Sequence, residues 1–300
     1  MKNLLKIARM TAALPNYLRA QFVFKKKIKY HSDLETVIRL QDRRTSISRF
    51  GDGEFDWIMG TGQETGFQKN DNNLAKELRR VINESDGVNH VVGIPRQLFS
   101  IKEENDLNRF FWIRAIKARG LKWIQLLDPT KEYWSSTFSR SYIGVNNKRF
   151  AMQIFSEAKK IWEGRDVLIV EGELTRFAVN SDLLDDANKI YRIIGPAENA
   201  FSSRKEIEKK IIEFLNDKND VLILLALGPT ATVLSFELSQ KGYQAVDIGH
   251  LDMEYIWYQM GVSEPKDIPW KYMNELDGGD VNRDAFDDNE YHNQIVDRIL

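Results

Sequence analysis

Ser48-Arg49-Phe50-Gly51-Asp52-Gly53-Glu54-Phe55 alternates two glycines with two carboxylates at the end of a strand-like run from Thr45 to Phe50. Neither Gly51 nor Gly53 carries a Cβ, so the backbone can turn sharply there and come close to a ligand. Asp52 and Glu54, two positions apart, can then face one bound cation. Oxygen ligands suit hard or borderline ions such as Mg²⁺ or Mn²⁺, whose usual companions are phosphate oxygens. Arg49 sets a fixed positive charge beside them. The plainer reading is a glycine-rich turn with solvated carboxylates. A second acidic run, Asp247-Ile-Gly-His250-Leu-Asp252-Met-Glu254, closes another strand and leads into a helix. There His250 can act as a third metal ligand, and Asp252 or Glu254 as a general base.

Three further strand ends carry groups that suit phosphate or a nucleobase. After Val170, Thr175 offers a hydroxyl and Arg176 a bidentate cation. The loop Gly195-Pro-Ala197-Glu-Asn199-Ala-Phe201 offers backbone amides, an amide side chain and an aromatic ring. Gly228-Pro229-Thr230-Ala-Thr232 opens an amphipathic helix. Proline suits its first turn, and the free N–H groups and helix dipole make a phosphate seat with threonine donors. Gly-Lys-Ser/Thr and Gly-x-Gly-x-x-Gly are both missing, which weakens nucleotide triphosphatase and NAD-dehydrogenase readings. His31, His90 and His292 lack such settings and read as structural or exposed.

Alternating elements must position these groups. Strands are expected at 47–50, 90–94, 123–127, 166–170, 189–194, 221–227 and 245–248. Helices are expected at 74–83, 107–118, 150–162, 205–216 and 231–241. Continuous apolar strands such as Val221 to Leu227 are covered on both faces, as in a parallel sheet. The pattern predicts an α/β, Rossmann-like, doubly wound and mostly parallel sheet with helices on both faces. In such sheets ligands sit beyond the carboxyl ends of the strands.

The 300 residues, 42% hydrophobic and 29% charged, describe a soluble globular chain with room for one large domain. A net charge of −1 gives no pull toward nucleic acid, and zero cysteines remove disulfides, thiolate metal sites and a cysteine nucleophile. Residues 1–32 form a cationic amphipathic segment. Its lysines and arginines precede the first acid, Asp33, and alternate with Leu4, Leu5, Ile7, Met10 and Leu14. It can pack on the domain or lie on an anionic membrane surface. No small-residue cleavage site follows a long apolar core, which argues against a signal peptide. The expected location is the cytoplasm, at or near the inner face of the membrane. Residues 33–262 read as the catalytic domain. Residues 263–300 read as an acidic appendage rich in Asp277, Asp280, Asp284, Asp287, Asp288 and Glu290.

Taken in order, these segments resemble the bacterial glycosyltransferases of the GT-D fold. The carrying residues are Arg49-Phe-Gly-Asp52-Gly-Glu54, Glu171 with Thr175-Arg176, Pro196-Ala-Glu-Asn199-Ala and Leu227-Gly-Pro-Thr-Ala231. The last block is Gly242-Tyr-Gln-Ala-Val-Asp247-Ile-Gly-His250-Leu-Asp252-Met-Glu254-Tyr. The resemblance implies transfer of a hexose, glucose first, from a UDP-sugar to a glycan acceptor on a protein or lipid carrier. It implies that Asp52 and Glu54 hold Mn²⁺ or Mg²⁺ against the diphosphate. Homo-oligomerisation is open. The alternative is a non-catalytic partner that binds nucleotide sugar or glycan inside a glycosylation complex; a methyltransferase fits the acidic first loop poorly.

Overall fold

The computed structural model describes residues 2–62, 68–272 and 288–299. Its strands are β1 (Lys29–Tyr30), β2 (Ser46–Arg49), β3 (His90–Ile94), β4 (Glu132–Ser135), β5 (Asp166–Gly172), β6 (Lys189–Gly195), β7 (Leu222–Ala226), β8 (Ala245–Asp247) and β9 (Ile295–Arg298). They form one nine-stranded sheet in the order β1-β4-β3-β2-β8-β7-β5-β6-β9, and every recorded strand pairing is parallel. The helices are α1 (Lys2–Lys27), α2 (Asp33–Asp42), α3 (Asp52–Ile58), α4 (Asn72–Glu84), α5 (Asp106–Ala115), α6 (Leu121–Trp123), α7 (Lys148–Lys159), α8 (Arg204–Leu215), α9 (Pro229–Ser239), α10 (Leu251–Gln259) and α11 (Asn289–Gln294). The α/β, doubly wound expectation holds.

Parallel pairing puts every strand's carboxyl end on one edge. After β5 the chain moves outward to β6, whereas after β7 it moves the other way to β8. Connections that diverge between neighbouring strands leave a crevice, which is where open α/β sheets bind ligands.

Burial explains where the sequence reading missed. The run 123–127 is helical, because α5 continues through the turn Ile116–Gly120 into α6, burying Trp123. A short apolar run fits either period, and here the helical neighbour decides. The strand is instead β4, after Asp128-Pro129. Helix α9 is not amphipathic: all its residues from Pro229 to Ser239 are buried against the sheet. Helix α2 was unread although Ser32 caps it, accepting from the Glu35 amide at 3.3 Å while Glu35 Oε2 accepts from the Ser32 amide at 2.7 Å. In the last forty residues, β9 adds an edge strand beside β6 and Asp288 caps α11. Asp277, Asp280, Asp284 and Asp287 lie outside the described residues. Helix α1 buries Tyr17, Ala20 and Phe24 and leaves Leu18 and Phe22 exposed. Among the described residues, no helix is long and apolar enough to cross a membrane.

One buried group sets an acid limit. His90 on β3 is fully buried, 2.8 Å from Ser48 Oγ and 3.0 Å from Ser85 Oγ, and burial lowers its pKa to about 3. The unfolded chain binds this proton from about pH 6.5 downward, where the folded chain refuses it. The stability from His90 is therefore present above about pH 6.5 and is lost as pH falls toward 3. We expect wild type to lose up to about 1.4 kcal/mol more per pH unit than His90→Gln between pH 6 and 4, read from urea midpoints.

Candidate active site

A cleft of about 830 Å³ opens at the carboxyl ends of the strands. It is lined by Arg49, Gly51, Asp52, Gly53, Glu54, Thr175, Ala197, Gly228, Pro229, His250, Asp252 and Glu254. Twelve residues chosen from five separated segments thus share one cavity. Arg176, Asn199 and Thr230 do not line it.

The Gly51–Glu54 segment is not an open turn but the first turn of α3. Gly51 is its N-cap, and Glu54 folds back so that its Oε2 accepts from the Gly51 amide at 2.8 Å. Both carboxylates line the cleft from this first turn, but in different settings. Asp52 is open, with 36% of its side chain exposed and Arg119 Nη2 at 3.7 Å. Burial pushes the Glu54 carboxyl up to about 6; the Gly51 amide opposes this, while Asp247 and Asp52 add to it.

Asp247, read only as a neighbour of His250, is the centre of the site's hydrogen bonding. It sits buried at the end of β8 and accepts from the Arg49 amide at 3.1 Å, with Arg49 Nε at 3.4 Å and Thr232 Oγ1 at 3.0 Å. Burial raises its pKa, and Arg49 opposes that shift. Arg49 also donates to Ser139 Oγ, so its guanidinium is held from two strand ends. Gly249 makes this arrangement possible. It has a φ of +52°, and a Cβ there would overlap the Arg49 guanidinium. Gly249→Ala is expected to cost about 1–3 kcal/mol in a denaturant titration, from left-handed backbone strain and the displaced arginine.

The other expected residues are placed as follows. Asp252 is buried, accepts from the Ala178 amide at 3.2 Å and is ion-paired with the fully buried Lys271. Glu254 is buried too, and its Oε2 accepts from the Tyr142 and Ile143 amides at 2.7 and 2.8 Å. His250 Nδ1 lies 2.9 Å from Arg140 Nη2. Arginine can only donate, so Nδ1 accepts and the neutral ring carries its proton on Nε2. His250 does not join Asp52 and Glu54 as a third ligand: among the described residues, no three His, Cys, Asp or Glu side chains are grouped to hold an ion.

At α9, Gly228 takes a φ of +54°, but the Thr230 and Ala231 amides already close on Leu227 and Gly228 carbonyls at 3.2 and 3.0 Å. The phosphate seat expected there has fewer free donors than the sequence suggested. Thr232, not Thr230, faces the cleft; Thr230 Oγ1 is buried without a partner. Arg176 turns to the Trp270 carbonyl at 2.8 Å, and Asn199 Oδ1 accepts from the Lys69 amide at 2.7 Å. Glu171 is fully buried and paired with Arg192 at 2.6 Å, a structural role. Missed altogether were Arg140, Gln97, Asn105, Asn108 and the outer face of α5, all lining the cleft. Misplacing β4 hid the loop that follows it.

A parallel sheet with a cleft at its carboxyl edge has the arrangement in which open α/β domains bind ligands. Residues 47–276 match the family model described as Glycosyltransferase GT-D fold. The chain belongs to the GT-D-fold glycosyltransferase family. It is 36% identical over 272 residues to Glycosyltransferase GlyD of Streptococcus pneumoniae serotype 4, covering 89% of this chain and 32% of that protein. It is 34% identical over 258 residues to the probable glycosyl transferase Gly of Streptococcus gordonii, covering 86% and 37%. The chain thus spans about a third of the length of the curated relatives it matches. A solved structure of domain of unknown function 1792, described as a distinct glycosyltransferase fold, matches with a TM-score of 0.86 at 33% identity, covering 96% of this chain and all of that one. A glycosyltransferase of the same domain type from Streptococcus sanguinis matches with a TM-score of 0.83 at 33% identity, covering 91% and 100%.

Proposed function

We propose that the chain moves a hexose, glucose first, from a UDP-sugar to a hydroxyl of a glycan acceptor, with Mn²⁺ or Mg²⁺ at Asp52 and Glu54. The carrying observation is the convergence of Asp52, Glu54 and Asp247 on one cleft that also holds Arg49 and the start of α9. Burial pushes the Glu54 carboxyl up to about 6, and the charges of Asp247 and Asp52 add to that shift. A divalent ion beside them would offset that negative charge. Two carboxylates with substrate phosphates completing the shell is the usual manner for Mg²⁺. When bound, the ion would offset charge growing on the leaving diphosphate.

The chain's own residues would do the rest. Arg49, fixed by Asp247 and Ser139, would supply positive charge to the phosphates without moving. Thr175 and Ala197 line the rim formed after β5 and β6, and we assign the nucleoside to that rim. For an inverting transfer, the acceptor hydroxyl's proton passes to Glu254 or Asp252, which both line the cleft; Asp252 is already ion-paired with Lys271. The exposed Leu18, Phe22, Lys25 and Lys26 of α1 suit contact with an anionic bilayer carrying lipid-linked acceptors.

UDP release from UDP-glucose, UDP-galactose and UDP-N-acetylhexosamines, with Mn²⁺ and with EDTA, tests the proposal. Turnover with Mn²⁺ that stops in EDTA supports it. UDP binding without turnover for any donor would favour the non-catalytic alternative.

A further inference from the structure

Helix α5 has two apolar faces. Trp112, Ile113 and Ala115 are buried in the core beside α1. Leu107, Phe110, Phe111 and Arg114 recur at i, i+3, i+4 and i+7, and all four line the cleft. Leu107 is 74% and Phe111 45% exposed. Single exposed apolar residues are ordinary, but a stripe of them along a cavity wall marks a contact surface. The Arg114 guanidinium sits 5.5 Å over the Phe110 ring.

Amide side chains line the same half of the cleft. Gln97 is 3% exposed, and its Nε2 donates to Glu104 Oε1 at 3.1 Å. That bond fixes the amide's orientation and leaves Oε1 buried with no partner. Asn108 is held by Glu104, and Asn105 Nδ2 by the Ile143 carbonyl at 3.0 Å. A buried acceptor without a donor is unfavourable, so a ligand hydroxyl placed there gains a hydrogen bond that the protein alone does not make.

We propose that this half of the cleft is a saccharide subsite, in which a pyranose lays a C–H face on Phe111 and Leu107 and directs ring hydroxyls to Gln97 and the asparagines. Pyranoses combine an apolar face with a rim of groups that donate and accept, and this wall matches both. A lipid tail would satisfy the apolar stripe and strand the Gln97 oxygen. The residues follow β3, whereas Thr175, Ala197 and Gly228 follow β5, β6 and β7, so the two groups form opposite rims with Asp52 on α3 between them. Calling the sugar held here the acceptor rests on the transferase reading; saccharide binding itself does not.

Saturation-transfer NMR on the full chain tests this, with methyl glycosides of glucose, galactose and N-acetylglucosamine, octyl glucoside below its micelle concentration, and UDP as separate probes. The expected result is saturation of pyranose protons for at least one glycoside. It should fall about five- to ten-fold in Phe111→Ala and Leu107→Ser, with UDP saturation kept. Both residues are exposed, so the variants should fold. Three outcomes overturn the inference: no glycoside saturates, the two variants match wild type, or only the octyl chain saturates. If glycosides bind and UDP does not, the UDP-sugar proposal fails while the subsite stands. If UDP binds and glycosides do not, the subsite alone fails.

Discussion

Asp52→Asn is expected to lower metal-dependent UDP-sugar turnover by about 10²–10³-fold, the usual cost of removing one electrostatic partner of a developing charge. The fold should be unaffected. Asp52 is a surface-facing residue whose recorded ion pair, with Arg119 at 3.7 Å, is long and partly exposed, and such pairs contribute about 0–1 kcal/mol. Arg119 keeps a second carboxylate partner in Asp56. Glu54→Gln is the companion variant: its amide oxygen can still accept from Gly51, so the helix start survives while a negative charge is lost. Turnover by UDP release and stability by urea titration should separate cleanly. A variant that unfolds would place these carboxylates in the scaffold instead.

Lys271→Met should have the largest effect on stability. Lys271 is fully buried, pairs with Asp252 and donates to the Thr175 carbonyl at 3.1 Å and the Arg176 carbonyl. Removing it strands a buried carboxylate and two carbonyls, and breaking a buried pair in this way costs about 3–5 kcal/mol. Lys271→Met combined with Asp252→Asn removes the bare charge and should recover part of that loss. The pair also reaches function. Lys271 ties the chain after α10 to the loop after β5, and Thr175 and Tyr272 both line the cleft. Calorimetry with UDP should therefore show weaker binding in Lys271→Met even at temperatures where it remains folded. Unchanged binding would separate this tie from the site.

How far the sequence revealed the molecule follows from which forces act locally. Strands β3, β5 and β7 were legible because burial on both faces gives each an apolar run. Strand β4, Glu-Tyr-Trp-Ser, has no such run, and the neighbouring Trp123–Leu127 imitated one. The loop ends were found because glycine, proline and carboxylates cluster where a parallel sheet turns. What those side chains do there was not legible. Asp252 and Lys271 are nineteen residues apart, and Glu254 meets amides from Tyr142 and Ile143 across more than a hundred. No local pattern encodes such pairs. Asp52 and Glu54 looked alike in sequence and both line the cleft, yet Asp52 stands open there while Glu54 is tied back to cap its own helix, because the chain turns helical at Gly51. The outer face of α5 was hidden for a different reason. Its Leu-x-x-Phe-Phe-x-x-Arg spacing reads as an ordinary core stripe, and only the fold shows that it borders a cavity.

The central claim is that Asp52 and Glu54 would hold a divalent ion that offsets the charge of a nucleotide's diphosphate. Anomalous scattering at the manganese edge, from crystals grown with Mn²⁺ and UDP, examines it most directly. The account predicts one strong peak beside Asp52 and Glu54, with uridine toward the Thr175 and Ala197 rim. Nucleotide bound in the cleft with no manganese beside Asp52 and Glu54 would contradict it.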